Sequence, residues 1–411
     1  MVLYLKVEFV TSSSLESGFD DRLARRNALL LASATALAGA NATVIFATAA
    51  IVGSVLAPDK GLATLPISIF VVGMAAGTLP VGWIAKKFGR RAAFLSGALA
   101  GVFTGVLACV AVVEALFPLL CLATFFGGFY QAAAQSYRFA AADSASAAFR
   151  PKAISWVLAG GVFAGVLGPQ LVTHTMDLWQ PYLFAASYLF QAAVAALSML
   201  ILVQVKAPPP LPANTPDMRP IGKIARQPKF IAAVICGIVS YGLMNFIMTS
   251  APLAMKLCGH AVTESNLAIE FHVIAMYAPS FFTGALIARF GAERVILAGM
   301  ALITAAAIAG HLGTTVPHFW ADMILVGLGW NFGFIGASAL VTETHQPSER
   351  TKVQSFNDFL VFGTMVVGSF SSGRILTDFG WDMVNTIVFP LVFVGLLALF
   401  SVRRFEKRPL A

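Results

Sequence analysis

Apolar runs of about 20 residues recur along the whole 411-residue chain, and they constrain its fold more than any other feature. One helix needs roughly 20 apolar residues to cross the hydrocarbon core of a bilayer. Only 11% of the residues are charged, whereas a water-soluble domain carries about 25%. We therefore predict an all-α integral membrane protein with twelve transmembrane helices. The predicted spans are 28–56, 65–84, 92–113, 116–141, 153–173, 181–204, 230–254, 266–288, 295–314, 319–341, 354–375 and 383–402.

The sequence repeats itself at half its length. The stretch GWIAKKFGRR, which begins at Gly82, returns 202 positions later as GALIARFGAER, which contains Arg289. RPKAIS at 150–155 likewise returns 200 positions later as RTKVQS at 350–355. Two related halves in a membrane protein usually enclose one central pathway. The repeat therefore predicts two pseudo-symmetric six-helix bundles and favours a transport function.

A polar, proline-rich stretch at mid-chain divides the two halves. It contains PPPLP at 208–212, and proline at this density prevents one continuous helix. The predicted domains are an N-terminal segment 1–26, a first bundle 27–205, a basic linker 206–229, a second bundle 230–402 and a tail 403–411.

Basic residues are distributed unevenly between the two sides of the predicted membrane protein. With both termini in the cytoplasm, every Lys and Arg but Lys60, Lys256 and Arg374 falls on the cytoplasmic side. The positive-inside rule thus predicts a multi-pass protein of the inner membrane with both termini cytoplasmic. The net charge of +8 is then a topology signal with anionic lipid as partner, and no nucleic acid is expected. We expect a monomer.

The two halves, the central basic linker and the loop after span 2 together resemble the major facilitator superfamily, whose loop pattern is roughly G-x-L-x-D-R-x-G-R-R. The matching positions are Gly82, Ile84, Lys87, Gly89, Arg90 and Arg91. Lys86 stands where the family has Asp. AGVLGPQLVT in span 5 resembles part of the motif of drug/proton antiporters. MTSAPLAM at 248–255, APSFFTG at 278–284 and GLGWNFGFIGAS at 327–338 resemble bacterial facilitators, some of which look like riboflavin or other small-metabolite carriers.

Aromatic and amide side chains recur at equal depth in the two halves. Tyr130 and Gln131 of span 4 match Trp330 and Asn331 of span 10, 200 positions later. An unpaired amide facing lipid is costly, so such residues face protein or water. The resemblance implies that spans 1, 4, 7 and 10 line a central cavity, whereas the alternative is hydrogen bonding between helices. The predicted solute-binding residues are Asn41, Tyr130, Gln131, Gln135, Arg138, Asn245, His272, Trp330 and Asn331.

Two of these candidates carry a further interpretation. Arg138 shares a helix face with Gln131 and Gln135, and it would either hold a carboxylate or phosphate or extend to the membrane interface. Among the 19 Asp and Glu, none falls near the middle of a predicted span. His272 is then the titratable candidate for coupling to protons, with a structural histidine as the alternative.

Charged residues at the cytoplasmic ends of the spans suggest a gate. The resemblance implies that the loop after span 2 pairs with groups on spans 4 and 11. Because Lys86 replaces an acid, we expect reversed polarity, with Asp358 meeting Lys86 or Lys87 and with Arg90 or Arg91 meeting Asp143. The predicted gating residues are Gly82, Lys86, Lys87, Gly89, Arg90, Arg91, Asp143, Arg289, Glu343 and Asp358.

These features favour a secondary transporter that works by alternating access. The aromatic–amide pairs suit a small, planar, hydrogen-bonding metabolite, with uptake favoured over export. A proton-coupled multidrug or metabolite exporter is the alternative. An integral-membrane enzyme is a remote third, because the six histidines are scattered and neither HExxH nor GxSxG occurs. No metal or cofactor is expected.

Overall fold

The computed structural model describes residues 21–59, Leu62, 65–206 and 219–406, and this part of the chain consists of helices joined by short turns and loops, without a strand. The predicted linker residues 207–218, most of the predicted N-terminal segment and the last five residues lie outside it. The helices are α1 (Asp21–Leu56), α2 (Leu65–Phe88), α3 (Arg90–Val113), α4 (Phe117–Gln135), α5 (Tyr137–Asp143), α6 (Arg150–Ala159), α7 (Gly161–Thr175), α8 (Ala185–Leu202), α9 (Ile221–Ala225), α10 (Pro228–Leu257), α11 (Val262–Tyr277), α12 (Ser280–Phe290), α13 (Ala292–Leu312), α14 (Val316–Thr342), α15 (Arg350–Thr386) and α16 (Val388–Glu406).

By length and composition the helices match ten of the twelve predicted spans, or eleven with a bent pair, and the last predicted span falls on a shorter apolar helix. Within the described ranges, ten helices or helix pairs are long and apolar enough to cross a bilayer. The eleventh span is α15, whose segments 350–369 and 374–386 are bent by 103°. The twelfth is the shorter apolar part of α16, Val388–Ser401.

Besides the bent α15, three predicted spans each consist of two helices. Span 4 comprises α4 and α5, span 5 comprises α6 and α7, and span 8 comprises α11 and α12. Span 8 breaks before Pro279, because proline has no N–H to continue the helical hydrogen bonds.

The ends of the predicted domains differ from the structure. Residues 21–26, assigned to the N-terminal segment, form the first turns of α1, where Asp21 is favourable beside the helix N-terminus. The end of the predicted linker forms α9, and α16 continues to Glu406. Charged residues can extend a helix beyond the membrane because water solvates them, so apolar runs underestimate helix length.

The repeat in the sequence is a repeat in the structure. Gly89 ends α2 and begins α3 with φ 91°, and Gly291 does the same between α12 and α13 with φ 85°. L-residues rarely adopt such φ values, whereas glycine does so freely. Lys87 lies over the ring of Phe88 and Arg289 over the ring of Phe290, both at 5.2 Å.

The repeated motifs meet crosswise between the two bundles. Gly82 packs against the side chain of Ser355, and a Cβ at Gly82 would overlap it. In the second contact, the N–H of Gly284 donates to Ser155 Oγ at 3.0 Å. Each half therefore places its glycine on the serine of the other half. We call this side of the molecule, which carries Lys86, Lys87, Arg289 and Arg350, the basic end.

Gly284→Ala should separate the bundles at the basic end. Its Cβ would lie 2.7 Å from Lys152 Cα and from Pro151 O, and these backbone atoms cannot move aside as a flexible side chain could. Spin labels at the exposed positions 87 and 352, in a background without the exposed Cys258, should report a longer distance.

Gly363→Ala is the matched control, because a Cβ there meets nothing within 4 Å. An unchanged distance in Gly284→Ala would show that the Gly284 contact does not set the closure of the basic end.

Candidate functional site

A buried ion pair joins the two bundles. Arg138 of α5 is fully buried, and its Nη2 lies 2.6 Å from Oδ1 of Asp358 on α15. Its Nε donates to Ser338 Oγ of α14 at 3.2 Å, and its Nη1 donates to the carbonyl oxygen of Gln135. The guanidinium of the first bundle is thus held by two helices of the second.

Rings and amides complete the surroundings of this pair. The guanidinium carbon of Arg138 lies 4.3 Å from the centroid of Phe139 and 4.6 Å from that of Phe334. Asn357 donates a second hydrogen bond to Asp358 Oδ1 at 3.0 Å. Cation–π contacts and several hydrogen bonds stabilise a buried charge that would otherwise be costly. Arg138 does not extend to the membrane interface in this structure.

The prediction that Asp358 pairs with Lys86 or Lys87 is wrong, because its partner is Arg138. Lys86 and Lys87 are both exposed, and Lys87 Nζ lies over the ring of Trp83 at 5.1 Å. The lysines lie on the outer face of α2, whereas Arg138 approaches Asp358 from inside the interface.

A second polar layer closes the basic end. Arg90 Nη2 lies 2.7 Å from Asp143 Oδ2, as predicted, and also donates to Gln354 of the second bundle. Gln354 Nε2 donates to Asp143 Oδ1 at 3.3 Å, and Arg350 Nε lies 3.6 Å from Asp143 Oδ2. Arg91, the other candidate, is exposed. Asp143 is therefore shared by a cation of each bundle.

His345 and Glu349 flank this layer, outside the membrane-spanning segments. Burial lowers the pKa of His345, whose Nε2 accepts from Gln354 at 3.3 Å. Arg219 binds Glu349 through Nε at 2.8 Å and Nη2 at 2.6 Å. These hydrogen bonds lower the pKa of Glu349 to about 2. The two hydrogen bonds from the Arg219 guanidinium to Glu349 thus connect the end of the linker with the start of α15.

Glu343 does not repeat the role of Asp143. It is half-exposed and lies 2.7 Å from Lys229 Nζ. The position equivalent to Arg90 is Ala292, 202 residues later. The second bundle therefore offers no arginine at this point, and this polar layer is asymmetric.

Two of the predicted solute-binding amides, Asn41 and Asn331, form hydrogen bonds between helices, each inside its own bundle. This was the alternative interpretation of the amides. Asn41 Oδ1 accepts from Gln191 Nε2 of α8 at 2.9 Å. Asn331 Nδ2 donates to the carbonyl of Met276 at 2.6 Å, and its Oδ1 accepts from Thr283 Oγ1 at 2.6 Å. Both are buried, so their hydrogen-bonding capacity is used inside the bundle in this conformation.

Tyr130 also faces the interior of its own bundle. It is buried, and its ring lies directly against Gly101 of α3. The small glycine surface accommodates the ring there, so Tyr130 packs between helices instead of lining a cavity in this conformation.

Gln131, Asn245 and Trp330 have the polar atoms that a solute would use. Gln131 and Asn245 are half-buried, and Gln131 Oε1 and Asn245 Nδ2 have no partner. Trp330 Nε1 is also without one, and its ring packs at 5.5 Å from Tyr241 and 5.4 Å from Tyr277. Buried polar groups are nearly always hydrogen-bonded. One acceptor and two donors are therefore available on α4, α10 and α14, and the donor of Trp330 belongs to a group of aromatic rings.

Sequence reasoning missed Tyr241 and underestimated Asp322. Tyr241 OH accepts from Gln135 Nε2 at 3.4 Å, and its ring contacts Trp330. Its position one turn before Asn245 on the same helix was a usable signal. Asp322 is fully buried in the second turn of α14, which begins three residues earlier than predicted. His272 is buried too, with Nδ1 2.7 Å from the carbonyl oxygen of Met323.

No cluster of three or more potential metal ligands occurs among the residues that the structure describes.

The family model of the Major Facilitator Superfamily matches residues 31–269 and 233–411, and the chain belongs to this family. The riboflavin transporter RfnT of Brucella anthropi is 45% identical over 383 residues, covering 92% of this chain and 96% of that protein. The MFS-type transporter YddS of Bacillus subtilis is 28% identical over 358 residues, covering 81% and 82%.

Solved structures show the same fold. The proton:xylose symporter XylE aligns with a TM-score of 0.73 at 14% identity, covering 94% of this chain and 96% of that one. FucP in the outward conformation aligns with 0.70 at 15% identity, covering 92% and 98%. Family and relatives together identify a secondary transporter for a small metabolite rather than an enzyme.

Arg138→Met should lower the free energy of unfolding by about 3–5 kcal/mol, because removing one member of a buried pair leaves the other charge uncompensated. The double variant Arg138→Met/Asp358→Leu should lose clearly less than the sum of the two single changes. Thermal unfolding of the purified protein measures this double-mutant cycle.

The exposed pair Arg374–Asp378, 3.4 Å apart and four residues apart on α15, is the control. A cycle there should give a coupling of only about 0.3–0.5 kcal/mol. Additive losses at Arg138 and Asp358 would contradict a stabilising bridge.

Proposed function

We propose that this protein carries riboflavin or a closely related flavin into the cell. The observation that carries this proposal is the 45% identity to a riboflavin transporter over nearly the full length of both chains. The described site agrees in its chemistry. A flavin is planar, and its ring edge bears both hydrogen-bond donors and acceptors. Aromatic rings stack on such a surface, and amides bind its edge.

Gln131, Asn245 and Trp330 are the residues that we propose bind the flavin. They belong to helices of both bundles, so one solute bound between them would contact both. Gln131 precedes Arg138 by seven residues, or about 10 Å along the helix. The Arg138–Asp358 pair thus forms the floor of the proposed site, on the side of the basic end.

The proposed transport cycle follows from the two polar layers. The basic end is closed in this structure by the Arg138–Asp358 pair and by the layer around Asp143. We assign the basic end to the cytoplasm, because positive charge marks the cytoplasmic side of inner-membrane proteins. A flavin bound from the opposite side would reach the cytoplasm once both layers separate, and alternating access would then return the empty carrier.

The remaining expectations complete this proposal. The protein would lie in the inner membrane with both termini cytoplasmic, function as a monomer and contact anionic lipid through its basic end. A proton gradient would be available as a driving force.

Gln131→Ala and Asn245→Ala should each weaken riboflavin binding about 5- to 10-fold, because each removes one hydrogen bond worth about 1 kcal/mol. Quenching of riboflavin fluorescence by the purified protein measures the affinity. Melting temperatures should stay unchanged, since the removed atoms have no partner within the protein.

Gln180→Ala, at an exposed position, is the matched control and should bind as the unchanged protein does. Full affinity in both site variants would refute this site. Saturable binding of many lipophilic cations instead of riboflavin would favour the exporter alternative.

A further inference from the structure

One buried carboxyl group in the second bundle has no partner, and the gate does not use it. Asp322 of α14 is fully buried, and neither of its carboxyl oxygens has a hydrogen-bond partner. The two other buried carboxylates among the described residues, Asp358 and Glu349, each bind an arginine at 2.6 Å. Asp322 therefore lacks the cationic partner that the other two buried carboxylates have.

Two more unpaired polar atoms belong to side chains around the same turn of α14. His272 Nδ1 bonds the carbonyl oxygen of Met323, so Nδ1 carries the proton and Nε2 is a free acceptor. The ring of Trp381 lies 5.0 Å from that of Phe319, and its Nε1 has no partner. The turn 319–323 thus has unused donors and acceptors on both sides.

No described charge compensates Asp322. The titratable and charged groups on α14 itself and on the elements packed around it at this end are Lys256 of α10, His260 between α10 and α11, Glu264, Glu270 and His272 of α11, His311 of α13, His318 of α14, and Arg374, Asp378 and Asp382 of α15. Among these, His272 alone is buried. The ring of His260 lies 5.8 Å from that of Phe319. An ionised carboxylate without a donor or a cation is strongly disfavoured in an apolar interior. Asp322 is therefore neutral, and holds a proton, while the basic end is closed.

We propose that Asp322 is the proton-binding site that couples flavin entry to the proton gradient, which deepens the proposed function and rests on it. A proton from the side opposite the basic end forms an O–H bond with the Asp322 carboxylate. When the carrier opens at the basic end, that bond breaks and the proton leaves to the cytoplasm. No other bond changes, and no oxidant or reductant is needed.

The helix that contains Asp322 also contains a residue of the proposed flavin site and a partner of Arg138. The unbroken α14 contains Trp330 of the proposed flavin site and Ser338, which accepts from Arg138. Gaining or losing the Asp322 proton therefore shifts the free energy of placing α14 in its closed position. This helix contacts both the proposed flavin site and the Arg138–Asp358 pair. If protonated Asp322 favours the closed basic end, that conformation must in turn bind the proton more tightly.

Riboflavin entry into proteoliposomes tests the coupling. The full-length protein should take up riboflavin several-fold faster with an inside-alkaline pH gradient than without one, and a protonophore should remove the difference. Asp322→Asn should lose this stimulation while keeping riboflavin counterflow, which needs no gradient and shows that the variant is folded.

Asp382→Asn is the matched control, because Asp382 lies at the same end and its side chain is 82% exposed. It should keep the stimulation. Stimulation retained by Asp322→Asn, or absent from the unchanged protein, would rule out Asp322 as the coupling site.

Infrared difference spectroscopy on a pH change separates the proton site from the choice of solute. The unchanged protein and Asp382→Asn should lose a protonated-carboxyl band on alkalinisation, and Asp322→Asn should lack that band. If riboflavin neither enters nor exchanges, the proposed substrate is wrong, yet this band still supports an exchangeable proton on Asp322. A band that persists in Asp322→Asn, or none in the unchanged protein, would overturn the assignment.

Discussion

The Arg138–Asp358 ion pair is the interaction on which the closed form of this transporter depends. It lies between the bundles and is buried, and Ser338 and Asn357 add hydrogen bonds to its two members. A buried charge is tolerable only with such compensation. Because the partners belong to different bundles, the bundles cannot separate at the basic end without giving up that compensation. The flavin site we propose is directly above this pair, so the same contact supports the site and blocks the exit.

The internal repeat supplies the frame around this pair. Gly82 with Ser355 and Gly284 with Ser155 bring the bundles into close contact at two equivalent places. Small residues permit helices to approach closely in a membrane, where packing is the main attraction. The charged layer, in contrast, is not symmetric. Arg90 has Ala292 as its equivalent, so the first bundle supplies the two buried cations, Arg90 and Arg138, and the second bundle adds only the more peripheral Arg350.

The all-helical membrane fold and ten or eleven of the spans were predictable from apolar runs, because span length depends on the bilayer alone. The two equivalent contacts of Gly82 and Gly284 follow from the 200-residue repeat. The Arg90–Asp143 contact was also predictable. The partner of Asp358 was not, since helix position does not reveal which side chain faces the interface. Asn41, Tyr130 and Asn331 share the chemistry of Gln131 and Trp330 but turn into their own bundles. Asp322 was underestimated because α14 begins earlier than its apolar run, which places the carboxyl group one turn deeper.

Arg350, Gln354 and Asp358 follow one another at intervals of four residues, so they form one stripe along α15. Each reaches a different member of the first bundle: Asp143, Arg90 and Arg138. A modest rotation of this single helix would move all three away together. Breaking the Arg138–Asp358 contact alone would leave two buried charges uncompensated while Arg350 and Gln354 still held the bundles in place. We therefore expect partly opened forms to be poorly populated and the basic end to open in one cooperative step. An opening of this kind would limit the leakage of small ions during transport.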